Sequence, residues 1–92
     1  GIGGATAEIV GQKLRALGGS RQVLCVTHLP QVAAQGHAHY RVSKAASDGV
    51  TQSAVQELDA RQRQEELARM LGGVEVSTEA RAAAKRLLRN AS

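Results

Sequence analysis

The chain has no Phe, no Trp and a single Tyr among 92 residues, and only one Pro, one Met and one Cys. Base stacking on aromatic platforms is therefore largely excluded, because Tyr40 is the sole candidate. Direct contact with a nucleic acid would fall on phosphates. The lone Cys25 cannot close an internal disulfide; it lies in an apolar run and is expected to behave as a small buried hydrophobe in a reducing compartment. No apolar run approaches the roughly 18 residues a membrane span needs, and no charged segment followed by an apolar stretch marks a signal peptide. The expected setting is the cytoplasm, without a membrane partner.

What remains is aliphatic and basic. Val, Leu, Ile and Ala must fill the interior, and small side chains pack densely only between closely apposed layers. A domain this size buries only about 60 to 65% of its unfolded surface, so each apolar face counts. Twelve Lys and Arg against eight Asp and Glu give a formal charge of +4, which permits attraction to a polyanion without identifying one. The chain opens at Gly1-Ile2-Gly3-Gly4 without Met, a loop composition with no element before it. The expectation is a cut-out piece of a larger sheet, with some apolar surfaces unpartnered.

Periodicity predicts a helix over 5–17, with Ala7, Val10, Leu14 and Leu17 on one face and Gly18-Gly19 as the stop. Ile9 lies off that stripe. The run 22–27 predicts a strand of the kind buried on both faces in a parallel sheet. Pro30 suits the first position of a short helix ending near Gly36. A β-hairpin is expected over 39–58 about Ser47-Asp48-Gly49, partly buried, with Tyr40, Val42 and Lys44 alternating along its first strand. Asp59 and Gln62 stand in capping-box spacing before a helix to about Leu71 whose apolar set is Ala60, Leu67, Met70 and Leu71. Ser77 caps the last helix of the 59–91 region. There Ala80, Ala83, Ala84, Leu87 and Leu88 share one face, and Arg81, Lys85 and Arg89 project from the other. The fold class is α/β: a parallel strand with flanking helices plus a hairpin, incomplete as it stands.

The densest chemical signal is Thr27-His28 at the end of the apolar run, because ligands of α/β sheets gather outside the carboxyl ends of strands. A neutral imidazole there can donate to a phosphoryl oxygen while its other nitrogen is fixed by the protein. A histidine in this position also often just caps the following helix, and both readings stay open on the residues alone. Gly1-x-Gly3-Gly4 before a helix can cradle a phosphate. It lacks the preceding strand, third glycine and acidic partner of a dinucleotide fingerprint, and no Gly-Lys-Ser/Thr loop occurs. His37-x-His39 has no nearby carboxylate or second Cys, so no metal site is assigned. Neither Cys25 nor any Ser sits in a nucleophile elbow.

Four blocks together resemble a known family: the 1–14 stretch, Val23-Leu-Cys-Val-Thr-His-Leu-Pro-Gln-Val-Ala-Ala34, the Tyr40-Arg-Val-Ser-Lys44 strand with its Asp48-Gly49 turn, and Glu66-Leu-Ala-Arg-Met-Leu-Gly-Gly73. Nearly the whole chain is similar to the C-terminal segment of the RecN family, bacterial DNA double-strand-break repair proteins related to SMC and ABC-type ATPases. The resemblance implies the C-terminal lobe of a P-loop ATPase head. It makes Gly1, Ile2 and Gly3 a D-loop remnant (1–4), with Gly3 where many relatives carry Asp, which favours backbone contact. It makes Thr27 and His28 part of the H-loop (27–31), with His28 the switch histidine approaching the γ-phosphate. In that chemistry Mg, a lysine and hydrogen-bond donors stabilise charge on the γ-phosphate while a carboxylate positions water. His28 would be one donor and not the general base. Partners implied are the rest of the same head, a second head in an ATP-dependent homodimer, and DNA through the whole protein near the nucleoid. Walker A, Q-loop, signature motif and Walker B all lie outside this sequence. The polypeptide alone is therefore expected neither to hydrolyse ATP nor to bind it, or Mg, tightly. The competing readings are a free-standing basic α/β binding or scaffold module in which His28 is structural, and a nucleotide-binding enzyme of another α/β family.

Overall fold

The computed structural model describes residues 3–91. Helix α1 (Gly4–Gly18) starts from an extended Gly3 and ends at the Gly18-Gly19 pair; α2 (Pro30–Ala33) is a single turn begun by Pro30. Strands β1 (Tyr40–Ser47) and β2 (Val50–Glu57) pair antiparallel, from Tyr40 opposite Glu57 to Ser47 opposite Val50. Helices α3 (Ala60–Gly72) and α4 (Thr78–Ala91) complete the order. The two-residue loop has φ 51° at Asp48 and 77° at Gly49, the left-handed pair that a tight hairpin requires.

Each helix packs on the next in sequence: α1 on α2, α2 on α3, and α3 on α4. The core is small and nearly all alanine. Ala34, Ala68, Ala80 and Ala84 surround Leu67, among the described residues the one large side chain that is fully buried, with Met70, Val76, Leu87 and Leu88 half-buried around it. Close approach of backbones replaces side-chain bulk. It is tightest between α1 and α2, where a Cβ on Gly11 would lie 2.8 Å from Gln35 Cγ and 3.2 Å from Gln31 O.

Local chemistry secures the last two helices as their sequence predicts. Gln62 N donates to Asp59 Oδ1 at 2.8 Å while Asp59 N donates to Gln62 Oε1 at 3.0 Å, a complete capping box. Ala80 N donates to Ser77 Oγ at 3.0 Å. Ala80 and Ala84 face inward and Arg81, Lys85 and Arg89 outward, as the spacing of α4 predicts.

Four expectations are corrected. Residues 22–27 form no strand, and the parallel sheet is absent among the described residues, whose two strands pair only with each other. An apolar run makes a strand only when another strand takes up its backbone groups; here Leu24 is 88% and Val26 94% exposed, and Cys25 is exposed with them. The buried edge of α1 is Ala7 and Gly11, while Val10 and Leu17 are exposed, because contact with α2 selects the residues that permit closest approach. Every hairpin residue is exposed, since no layer lies against either face. In α3 the buried run is Glu66, Leu67 and Ala68, whereas Ala60 and Leu71 face solvent.

With Leu67 as the only large occupant of the centre, Leu67→Ala is expected to cost about 2–5 kcal/mol of stability, and Leu24→Ser in this chain less than about 0.5 kcal/mol. Urea unfolding measures both. Comparable losses would contradict this placement of the core.

Candidate functional site

The segment 27–36 is built as one compact unit. Thr27 Oγ1 accepts a hydrogen bond from Leu29 N at 3.0 Å, closing a turn around His28. Leu29 O then accepts from Val32 N at 3.1 Å and Ala33 N at 3.0 Å, which starts α2. Pro30 and Val32 are buried, Thr27 is half-buried and His28 is exposed. The turn and the buried proline therefore fix the backbone on both sides of a histidine whose ring remains open to a partner.

The N–H groups of Ala34, Gln35 and Gly36 reach Pro30 O, Val32 O and Ala33 O, and two arginines from neighbouring helices add hydrogen bonds to the carbonyls of 33–36. Arg63 of α3 donates from Nη2 to Ala33 O at 3.0 Å, Ala34 O at 3.1 Å and Gly36 O. Arg15 of α1 donates from Nη1 to Gln35 O at 2.8 Å. All four carbonyls from 33 to 36 are thus engaged by guanidinium groups. Arg63 is half-buried; burial, then the charge of Arg15, lowers its affinity for its proton from the usual guanidinium range.

Behind the clamp, Glu66 is 7% exposed and is held by a forked contact with Arg69, with Arg41 of β1 at 3.8 Å. The Arg69 hydrogen bond holds the Glu66 carboxyl below the usual range, against the opposing effect of burial, with help from the charges of Arg69, Arg41 and His39. His39, where the hairpin begins, accepts Leu58 N on its carbonyl at 2.9 Å, and its Nδ1 is buried without a hydrogen-bond partner. Burial, then Arg63, lowers the His39 pKa, and Glu66 opposes this.

Of the residues singled out from sequence, Thr27 and His28 stand side by side at the mouth of this unit. Gly1 and Ile2 lie outside the described residues. Gly3 is the extended cap of α1, whose first turn lies beside α2: a Cβ on Gly4 would be 3.6 Å from Gln31 Nε2. The start of α1 and the helix that follows His28 are therefore neighbours. Sequence reading missed Arg15, Arg63 and Glu66. The available signal was position: Arg63 falls one helical turn before Leu67 and two before Met70, so a charge sits on an apolar stripe.

No protein-family model matches the chain. It is 73% identical over 88 residues, 96% of its length, to the DNA repair protein RecN of Xylella fastidiosa strain 9a5c. Identity is 52% over 88 residues to that of Vibrio cholerae and 38% over 91 residues, 99% of the chain, to that of Bacillus subtilis. This chain belongs to the RecN family. It spans 16% of the length of each of these relatives and matches their C-terminal region. The stretch from His28 through the arginine clamp to Glu66 is thus part of a RecN-family segment.

The lowered His39 pKa sets a pH dependence. The unfolded chain takes up this proton more readily than the folded one, so the stability carried by the neutral ring is complete above its ordinary value of 6.5. It is lost as pH falls through the lower folded value. The urea midpoint is expected to drop between pH 7.5 and 5, and His39→Gln to flatten that drop. An equal drop in both proteins would contradict it.

Proposed function

We propose that this chain serves as the C-terminal lobe of a P-loop, ABC/SMC-type ATPase head in a DNA repair protein of the RecN kind, with His28 contacting the terminal phosphate of ATP. The observation that carries this reading is an exposed imidazole on a backbone fixed by a side-chain turn, a buried proline and two arginine contacts, next to the start of α1. A ring on a fixed backbone is what a hydrogen-bond donor to a developing charge requires, because its placement costs no reorganisation during reaction.

The exposed Leu24 and Val26 support the same reading. An apolar run that is unpaired here gains strand partners if the rest of a head lies against it, and 84% of each relative's length lies outside the matched portion. A free-standing scaffold module would leave this run bare. The start of α1 and Thr27-His28 then belong to one nucleotide-facing edge, and the D-loop role that the resemblance implies for Gly1, Ile2 and Gly3 is contact with a second head in an ATP-dependent homodimer. DNA is engaged through the whole protein, in the cytoplasm at the nucleoid.

ATP is the substrate and Mg its companion ion, which neutralises charge on the phosphates. The resemblance assigns the Mg-linked residues to the Walker segments, which lie outside this sequence. Within it, Thr27 shapes the turn and His28 donates one hydrogen bond to the γ-phosphate. A carboxylate from elsewhere in the head positions water.

In a full-length protein carrying this segment, His28→Ala is expected to lower kcat for ATP hydrolysis about a hundredfold while KM for ATP changes less than about threefold. Steady-state phosphate release measures both. An unchanged kcat would remove His28 from the mechanism.

A further inference from the structure

We infer that Arg63, which lies on a different helix and far along the sequence, is a positioning residue for His28. This rests on the reading of His28 given above. The connection is short in space. From Thr27 to Gly36 the backbone is one hydrogen-bonded unit, and its far end is held by the Arg63 guanidinium on three carbonyls. On the near side, 22–26 have no strand partner among the described residues. Within this chain the backbone of His28 is held from its C-terminal side, through α2; strand partners for 22–26 in the whole head would add a second hold, beside which the Arg63 contacts act.

Several features mark the clamp as a device of fixed geometry. Nη2 carries two hydrogens and serves three acceptors, so Ala33, Ala34 and Gly36 must converge on one point. All three contacts come from this one nitrogen, so a lysine ammonium in its place keeps the charge and part of the contact set. A Cβ at Gly36 would lie 2.9 Å from Ala38 O, so glycine lets the chain turn closely just where its carbonyl meets Arg63. The Arg63 Nε is buried without a hydrogen-bond partner, so the group is held by its Nη2 contacts at the expense of its own solvation. Arg15 secures only Gln35 O, which makes Arg63 the principal hold.

The helix that bears Arg63 also carries Glu66, whose carboxylate lies 3.8 Å from Arg41 on β1. Arg63 touches neither the phosphate nor the water. Its effect is on where the imidazole points, and a displacement of about 1 Å at a reacting group can cost on the order of a hundredfold in rate.

The test is steady-state ATP hydrolysis by the full-length protein carrying this segment. Arg63→Gln is expected to lower kcat about tenfold to a hundredfold with KM for ATP within about threefold, and Arg63→Lys to recover part of the loss. The double variant Arg63→Gln/His28→Ala is expected to turn over no more slowly than His28→Ala alone, since the first change acts through the second residue. Should Arg63→Gln fail to fold, Arg63→Lys and Arg15→Gln carry the same comparison, each slower than the unmodified protein and each without further effect once His28 is Ala. A slow His28→Ala beside a normal Arg63→Gln, or a double variant whose loss is the product of the two single losses, overturns the positioning role alone. A normal His28→Ala overturns the reading of His28 and the positioning role with it.

Discussion

The one-turn helix α2 closes its own carbonyls with the backbone N–H groups of Ala34, Gln35 and Gly36, and the carbonyls from 33 to 36 are then tied to two other helices by Arg63 and Arg15. Forming an isolated turn fixes several residues for little hydrogen-bonding return. The four carbonyls of 33–36 are also answered by side chains from α3 and α1, and the same contacts join three helices that share little apolar surface. Everything placed by α2 inherits this dependence: buried Pro30 and Val32, the Thr27 turn and the exposed His28. Burying the Arg63 charge carries a desolvation cost that its carbonyl contacts must offset.

The rest of the architecture follows from a chain almost without aromatics. With alanine lining both sides of Leu67, helices approach closely and bury little area each, so the core is compact and small. The hairpin receives no layer and stays exposed along its length, joined to the helices through Leu58 and His39 at its base and the Arg41 to Glu66 pair. The apolar run before His28 likewise has no strand partner among the described residues. A chain spanning 16% of its RecN-family relatives shows both its own core and the surfaces for which it holds no partner.

Short-range chemistry was the most legible part of the sequence. The Asp59/Gln62 box, the Ser77 cap, the Asp48-Gly49 turn and the Ala-rich face of α4 depend on neighbours within a few residues, and each forms as its spacing predicts. The strand over 22–27 was not legible, because being a strand depends on partners far away in sequence, and none is among the described residues. The buried edge of α1 was misread for a related reason: Gly11 counts for nothing in an apolar pattern, yet it is where α2 can come closest. Thr27 and His28 stand out in the sequence by their place after an apolar run, whereas Arg15 and Arg63 look like ordinary surface charge until the fold brings them to the carbonyls of 33–36.

The role proposed for His28 is contact between its exposed ring and the terminal phosphate of a nucleotide held by the remainder of the protein. The most direct measurement is a crystal structure of the full-length protein with Mg and a non-hydrolysable ATP analogue. The account predicts an imidazole nitrogen at about 2.7–3.2 Å from a γ-phosphate oxygen, with Arg63 still on the carbonyls of α2. A ring turned into the protein and away from the triphosphate would contradict it.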